Sequence, residues 1–299
     1  MQYRPYDSER DKQHALRIWR EVNWLHEDRA DDLDRVIVAC GGGYVSEVNG
    51  AAECLVLRAN GDLRHLATTL PFSCITGVTT SRVARKLGLA ARLTAATVAH
   101  EAAAGAVVCG LGMFEQGFYN RLGFGNGAYE YRWQFNPATL TVEVPFRVPE
   151  RLTVADWAEI HDCRLRRRRA HGSVSLWAPE MTYGRLEMDG GGYGLGYRDA
   201  ADGRLSHLVF CGNDKAYHGP LRVRYLVYQN RMQLLELLAL LFSRGRPRRR
   251  SGRRLRHRDG RSAGLASDLL AGQFSRHLHL PLAVGANRGN QTHAGFAQW

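Results

Sequence analysis

The chain has 299 residues, of which 44% are hydrophobic, and it carries a formal net charge of +12. This length and apolar content allow one large domain or two to three ordinary ones with buried cores, which excludes a disordered chain. The longest apolar cluster, residues 234–242, contains Glu236 and is about half of the roughly 20 residues that a membrane-spanning helix needs. We therefore expect a soluble cytoplasmic protein without a membrane partner.

Six cysteines are dispersed through the chain, mostly within apolar stretches: Cys40, Cys54, Cys74, Cys109, Cys163 and Cys211. No two of them form a Cys-x-x-Cys pair, and no histidines stand at zinc-finger spacing. This pattern predicts buried reduced thiols and no metal site. Reduced thiols agree with a cytoplasmic location.

The first 70 residues predict one helix among several strands. Residues 1–6 form a predicted strand, and Ser8 is the predicted cap of an amphipathic helix. An acidic loop follows and contains Glu27, Asp28, Asp31, Asp32 and Asp34. That loop is either solvated or a surface that attracts a cation. Asn49-Gly50 and Asn60-Gly61 are hairpin signals, so we expect antiparallel strands over 43–48, 51–57 and 63–68.

A strand, a basic turn and a helix are predicted between residues 72 and 105. The β-branched run 74–80 predicts a buried strand. An apolar stripe at helical spacing then ends before Gly105 and contains Leu89, Leu93, Ala96, Val98 and Ala99. In the turn, Gly88 and Ala90 leave the backbone open beside unpaired helix N–H groups, and Arg82, Arg85 and Lys86 add positive charge. The turn is therefore either an anion site suited to phosphate or an ordinary surface turn with solvated cations.

Two motifs in this region carry a resemblance to a known superfamily. Arg85-x-x-Gly88-x-Ala90 after a strand is similar to the acyl-CoA pyrophosphate loop of the GNAT superfamily of N-acetyltransferases. Downstream, Tyr119-x-Arg121-Leu122-Gly123-Phe124-Gly125 resembles the corresponding stretch of the enhanced intracellular survival (Eis-like) subgroup. The resemblance covers roughly residues 3–242. It implies an α/β (α+β) fold, with a mixed, mostly antiparallel sheet flanked by helices, in two tandem copies.

The resemblance also implies the residues of a site. The predicted strands over 74–80 and 106–113 would splay apart around a pantetheine arm, with Gly77 as a bulge or close-approach position. The implied acyl-CoA contacts are Val78, Thr79, Thr80, Arg85, Lys86, Leu87, Gly88, Leu89 and Ala90. Tyr119 would be the general acid that protonates the departing thiolate, because a phenol is protonated at neutral pH. The sequence names no residue as the general base.

Three prolines interrupt regular structure between residues 136 and 151, where we expect a linker: Pro137, Pro145 and Pro149. We expect an N-terminal acyl-CoA-binding acetyltransferase domain over 1–136. A second acetyltransferase-like domain is expected over 151–242, without a CoA site, because it lacks the Arg-x-x-Gly-x-Ala turn. Its predicted elements are a helix over 153–169, a hairpin of 192–197 and 205–211, a strand over 221–228 and an apolar helix over 232–242.

The composition changes from Ser243 onward. Ten arginines and Asp259 give residues 244–261 a net charge of +9, out of +12 for the whole chain. We interpret residues 243–299 as a poorly ordered, irregular Arg-rich tail, which is either a frame disruption near Ser243 or a basic arm for nucleic acid. The basic stretch has no aromatic residue, and the chain has three lysines against 38 arginines, as in GC-rich coding sequences. We favour the frame disruption.

Three functions remain open from the sequence. The first is an N-acetyltransferase that uses acetyl-CoA as cosubstrate, without a metal, and acetylates a primary amine of a small molecule or peptide. The second is a non-catalytic acyl-CoA-binding scaffold or regulator. The third is a nucleic-acid-binding protein that uses the basic stretch at 244–261. We favour the first function, with acetyl-CoA and an amine as partners, and a homo-oligomer is compatible with it.

Overall fold

The computed structural model of the chain describes residues 2–25, 33, 36–37, 40–113, 116–126, 136, 141–188, 192–199, 201–212, 221–243 and 283–286. The chain divides into two compact units. The first is drawn from Met1–Glu130, His171–Gly184 and His279–Trp299. The second is drawn from Tyr131–Ala170 and Arg185–Leu278.

The described residues form twelve strands and six α-helices. The first nine elements are β1 Gln2–Pro5, α1 Ser8–Glu21, β2 Gly43–Val48, β3 Ala51–His65, β4 Thr68–Thr80, α2 Leu89–Ala103, β5 Val108–Leu111, α3 Gln116–Asn120 and β6 Gly125–Asn126. The others are β7 Glu150–Leu152, α4 Trp157–Leu165, β8 Val174–Leu176, α5 Glu180–Met188, β9 Tyr193–Tyr197, β10 His207–Cys211, β11 Val223–Val227, α6 Arg231–Ser243 and β12 Ala283–Ala286. Short 3-10 helices span Arg82–Ala84 and Val154–Asp156.

The first unit is a mixed sheet between two helical layers. Its strand order is β1-β2-β3-β4-β5-β12-β6, and β8 pairs with β3. The paired strands are antiparallel except β4 and β5, which are parallel. Side chains alternate across β3, so that Leu55 and Leu57 pack in the core with α1, whereas Cys54 and Val56 pack in the core with α2. The predicted mixed α/β fold with a mostly antiparallel sheet is confirmed.

Helix α1 is fixed to the sheet by ionic contacts at its first turn. Its N-cap is Asp7, not Ser8 as the sequence predicted, and the Asp7 side chain accepts hydrogen bonds from the N–H groups of Glu9 and Arg10. One turn later, Asp11 is fully buried and accepts two hydrogen bonds from the Arg4 guanidinium, at 2.6 and 2.8 Å. Because Arg4 also contacts Glu47 on β2, these charges join β1, α1 and β2.

One of the two predicted hairpin turns forms. Asn49 and Gly50 both have positive φ, at 53° and 81°, and connect β2 to β3 as predicted. The predicted turn at Asn60-Gly61 is wrong, because β3 continues through both residues to His65. Gly61 instead lies where β8 pairs with β3, and a Cβ there would approach the carbonyl oxygen of Ser175 to 2.2 Å. The absence of a side chain at Gly61 therefore allows β8 to pair closely with β3.

Helix α2 ends as predicted and buries only part of the predicted apolar stripe. Gly105 has φ 103°, and the N–H groups of Gly105 and Ala106 bond to the carbonyls of Ala102 and Glu101, which forms a Schellman cap. Its buried residues are Leu89, Leu93, Thr94, Thr97 and Glu101. The predicted stripe is therefore only partly correct, since Ala99 is exposed. Burial of the Glu101 carboxylate is tolerated because the Ser73 hydroxyl donates a hydrogen bond to it at 2.9 Å and Arg58 forms an ion pair with it.

The second unit contains an antiparallel sheet in the order β11-β10-β9-β7. The predicted β9–β10 hairpin, the β11 strand and the apolar helix α6 are confirmed. The predicted helix over 153–169 is shorter: Thr153 and Asp156 form a capping box on a 3-10 turn, and α4 ends at Leu165. Leu165, the last residue of α4, is exposed.

One stretch of the predicted second domain belongs to the first unit, and the predicted basic stretch is not described. The segment His171–Gly184 falls within the range predicted for the second domain, but it belongs to the first unit because β8 pairs with β3. The basic stretch 244–261 lies outside the described residues. No described helix is long and apolar enough to cross a membrane. All six cysteines are buried, as predicted.

Candidate functional site

A glycine bulge shapes the second half of β4. Leu57 pairs with Thr76 and Leu55 pairs with Thr79, so β4 has one residue more than β3 between these two pairs. Gly77 lies within this bulge with φ 60°, the left-handed geometry that the bulge requires. A Cβ at Gly77 would meet the buried Leu57 side chain at 2.9 Å. The predicted bulge at Gly77 is confirmed.

The pairing between β4 and β5 ends well before β4 does. The two strands pair from Phe72 and Val108 to Ile75 and Leu111. Strand β4 then continues to Thr80, paired with β3 through Thr76, Thr79 and Thr80. The other edge of Thr76–Thr80 has no strand partner among the described residues. Main-chain N–H and C=O groups on such an edge can pair with an extended ligand.

The turn after β4 leads to a helix that starts without a side-chain cap. Gly88 is the N-cap of α2, with φ 73° and ψ 15°, and makes no side-chain hydrogen bond to the helix. Two residues earlier, Lys86 also has positive φ, at 65°. The first-turn N–H groups of α2 have no partner within the helix, and they carry the positive end of its dipole. This terminus is suited to a diphosphate.

The basic residues of this turn are exposed. Arg82, Arg85 and Lys86 all lie at the surface, as do Leu87 and Gly88. Exposed guanidinium and ammonium groups next to an uncapped helix N-terminus raise the local concentration of an anion. The structure therefore places the five turn residues together on an accessible surface.

An apolar cluster joins the turn to the downstream motif. Leu89 and Tyr119 are both buried members of this cluster, and Val78 and Ala90 pack against it. Tyr119 lies on α3 with 6% of its surface exposed, and its ring makes edge-on contacts with Phe118 at 5.0 Å and with Phe124 at 6.1 Å. Val78, Leu89, Ala90 and Tyr119, all of them predicted site residues, therefore share one core. The catalytic role of Tyr119 stays a prediction.

The two threonines at the end of β4 bond within the protein. The Thr79 hydroxyl donates to the Gly77 carbonyl at 3.1 Å, and the Thr80 hydroxyl lies 3.3 Å from the Cys54 sulfur. Burial raises the pKa of the Cys54 thiol to about 11, so this sulfur stays protonated at neutral pH. The threonine side chains are thus occupied, and main-chain groups are what they offer to a ligand.

Sequence reasoning missed a charged network beside the turn. Arg17 on α1 donates to both carboxylate oxygens of Glu53 at 3.0 Å, and Glu21 accepts the Arg82 N–H at 2.6 Å. Burial alone would raise the pKa of Glu53, but the Arg17 hydrogen bonds lower it below its usual range. The i,i+4 spacing of Arg17 and Glu21 was a visible signal, but their other partners, Glu53 on β3 and the main-chain N–H of Arg82, lie far along the chain.

The acidic loop predicted from the sequence lies outside the described residues: Glu27, Asp28, Asp31, Asp32 and Asp34. Of the carboxylates near the turn, Glu53 is already paired with Arg17 and is a poor candidate for a general base.

Helix α6 of the second unit starts differently from α2. After β11, the Asn230 side chain accepts the N–H of Gln233 at 3.1 Å, and the Gln233 side chain accepts the N–H of Gln229 at 2.8 Å. Of these two N–H groups, that of Gln233 lies in the first turn of α6, so a side chain caps α6, whereas no side-chain cap is present at Gly88 among the described residues. The N-terminus of α6 is therefore less suited to an anion than that of α2.

A potential metal-ligand cluster in the second unit is filled by an arginine. The ligand atoms of Asp199, His207 and Glu236 lie within 4.8 Å of one another. Arg147 bonds to Asp199 at 2.7 and 2.9 Å and to Glu236 at 2.6 and 3.0 Å. His207 is fully buried, between the hydroxyl of Ser206 and the carboxylate of Glu236. Since the guanidinium neutralises both carboxylates, we interpret this cluster as structural.

No protein-family model and no curated protein matches the sequence. Solved structures do match the fold. A probable N-acyltransferase from Enterococcus faecalis V583 is 15% identical, with a TM-score of 0.62 over 82% of this chain and 62% of its own. Eis1 from Mycobacterium abscessus is 16% identical, with a TM-score of 0.62 over 81% of this chain and 63% of its own.

A GCN5-related N-acetyltransferase from Anabaena variabilis is 12% identical, with a TM-score of 0.64 over 82% of this chain and 63% of its own. This chain thus spans less than two thirds of the length of these three structures. At such low identity the likeness concerns the fold alone. The fold of this chain is the fold of GNAT N-acetyltransferase structures, including that of Eis1.

Proposed function

We propose that the chain is an acetyl-CoA-dependent N-acetyltransferase that acetylates a primary amine of a small molecule or peptide. The observation that carries the proposal is local to one end of β4. There the edge of Thr76–Thr80 that has no strand partner among the described residues leads into a basic turn and then into the N-terminus of α2 at Gly88, for which the described residues supply no side-chain cap. A strand edge suits the amides of a pantetheine arm, and a helix N-terminus suits a diphosphate.

The parts of the donor have separate partners in this proposal. Main-chain groups of Val78 and Thr80 pair with the pantetheine amides, and Thr79 belongs to the same edge. The N–H groups of Leu89 and Ala90, at the first turn of α2, bind the diphosphate, and the absence of a side chain at Gly88 allows close approach. The side chains of Arg85 and Lys86 add charge attraction, and Leu87 lies between them and the helix.

The chemistry is a direct transfer. The neutral amine nitrogen attacks the thioester carbonyl, the carbon–sulfur bond breaks, and a nitrogen–carbon bond forms. Tyr119 gives a proton to the departing sulfur, which a phenol can do at neutral pH. The proton that the amine loses passes to water, and water returns a proton to the Tyr119 phenolate. Chemistry of this kind needs positioned donors and no metal ion.

We further propose that the second unit is an acetyltransferase-like domain without a CoA site of its own. Its order of α4, the β9–β10 hairpin, β11 and α6 resembles the order of elements that surrounds β4 in the first unit. The Asn230 side chain caps the first turn of α6 through the N–H of Gln233 and so lies at the helix end where a diphosphate would bind.

The test is the release of free CoA thiol from acetyl-CoA in the presence of an amine panel: a polyamine, an aminoglycoside, a lysine-containing peptide and a peptide with a free N-terminus. Amine-dependent thiol release together with an acetylated product supports the enzyme. Binding of acetyl-CoA without turnover on any amine would favour a non-catalytic CoA-binding protein. Failure to bind acetyl-CoA would overturn the proposal.

A further inference from the structure

The basic turn contains two helix N-termini, and a carboxylate already occupies the first of them. Arg82 opens the 3-10 helix Arg82–Ala84, and its N–H donates to Glu21 Oε2 at 2.6 Å. Ser81, the preceding residue, gives no side-chain cap to this helix. Glu21, the last residue of α1, therefore supplies the missing cap from a distant part of the chain.

Glu21 is itself held in place. Arg17 contacts Glu21 Oε1 at 3.4 Å across one turn of α1, and the same guanidinium binds Glu53 through two hydrogen bonds of 3.0 Å. Arg17 also donates to the Ala52 carbonyl at 3.1 Å. Because Glu53 and Ala52 belong to β3, Arg17 connects the end of α1 to the sheet through these hydrogen bonds.

The sheet side of this network reaches the same turn. The N–H of Ser81 donates to the main-chain carbonyl of Glu53 at 2.9 Å. The first two residues of the turn, Ser81 and Arg82, are thus bonded to Glu53 and Glu21, which Arg17 links to each other. Residues 83–88, by contrast, are mostly exposed.

We propose that Glu21 is a positioning residue for diphosphate binding. By holding the Arg82 N–H, it fixes the start of the turn, so that Gly88 presents the first-turn N–H groups of α2 in one orientation. Its carboxylate also fills the N-terminus of the 3-10 helix, which leaves α2 as the terminus for the diphosphate. Glu21 acts through the main chain and does not touch the ligand. This inference depends on the proposed acetyl-CoA site.

The test compares three variants by calorimetric titration with acetyl-CoA and by steady-state kinetics. Glu21→Ala removes the acceptor for the Arg82 N–H, so we expect Kd and KM for acetyl-CoA to rise about ten-fold or more, the effect of one hydrogen bond to a charged group, with a smaller change in kcat. Glu21→Gln keeps an oxygen acceptor, and we expect it to recover most of the affinity. Glu9→Ala changes an exposed carboxylate of the same helix and should bind like wild type.

Hydrogen exchange at the Arg82 amide gives a readout that needs no ligand. We expect faster exchange in Glu21→Ala than in Glu21→Gln or wild type. Wild-type affinity in a folded Glu21→Ala variant would overturn the inference while leaving the proposed function intact. An equal loss of affinity in both Glu21 variants, with unchanged exchange at Arg82, would overturn it as well. Absence of acetyl-CoA binding by the wild type would overturn the proposed function and this inference together.

Discussion

Ile75 on β4 and Leu111 on β5 form the last pair of these two parallel strands, and β4 continues for five residues beyond it. One edge of Thr76–Thr80 pairs with β3, and the other edge has no strand partner among the described residues. Main-chain groups on that second edge can therefore bind a ligand. We expect acetyl-CoA to slow hydrogen exchange of amides in this segment and at Leu89 and Ala90. Amides over 72–75 should change little, because β5 already pairs with them. If acetyl-CoA leaves the exchange rates at Thr76–Thr80, Leu89 and Ala90 unchanged, the assignment of the strand edge is contradicted.

Gly77→Ala tests the bulge that shapes this edge. A Cβ there combines left-handed backbone strain with a contact of 2.9 Å to the buried Leu57 side chain. We expect a loss of about 2–3 kcal/mol in the free energy of unfolding, measured by urea titration. Gly50→Ala is the matched control, since Gly50 also has positive φ but a Cβ there meets no atom within 4 Å. Equal losses in the two variants would show that Leu57 adds no constraint.

Tyr119→Phe tests the predicted general acid. The ring can keep its contacts with Phe118 and Phe124, so we expect the fold and the affinity for acetyl-CoA to change little. Loss of the hydroxyl should lower kcat about 100-fold, the lower end of the range for general acid catalysis. Tyr3→Phe, at an exposed tyrosine, is the control. Unchanged turnover in Tyr119→Phe would remove this residue from the mechanism.

We expect His207 to make the stability of the second unit depend on pH. Burial lowers the pKa of His207, although Glu236 and Asp199 act in the opposite direction, and Arg147 also lowers it. The unfolded chain therefore binds a proton at a pH where folded His207 is still neutral. We expect the free energy of unfolding to fall as the pH drops below about 6.5, the usual histidine pKa, toward the folded-state pKa.

The measurement is urea unfolding at several pH values between 7.5 and 5. His207→Gln cannot take up this proton, so we expect a shallower fall in unfolding free energy than in wild type. Equal slopes in the two proteins would assign the pH dependence to other groups.

The sequence correctly predicted those turns and caps that depend only on the conformational preferences of neighbouring residues. Asn49-Gly50 forms a hairpin because both residues accept positive φ, and Gly105 caps α2 for the same reason. Asn60-Gly61 has the same signal, but β8 arrives from more than 100 residues later and pairs across it. Here the pairing with a distant strand outweighs the local turn preference of Asn60-Gly61. A pattern of neighbouring residues does not predict such a pairing.

The candidate site shows the same division. The turn motif and the bulge at Gly77 could be read from small residues at fixed spacing. The buried face of α2 could not, because Thr94 and Glu101 are polar and are buried through sheet contacts such as the hydrogen bond from Ser73 to Glu101. Glu21 also escaped prediction, since the group that it binds is a main-chain N–H 61 residues away.

Calorimetric titration of the full chain with acetyl-CoA tests the central claim most directly. We predict one binding event per chain with a Kd below 1 mM, a range typical of enzyme substrates, and its loss in Gly88→Glu, whose side chain would place bulk and negative charge at the start of α2. Gly105→Glu is the matched control, because Gly105 also has positive φ but lies at the opposite end of the same helix. No heat of binding for the wild type, or equal binding by wild type and Gly88→Glu, would contradict the account.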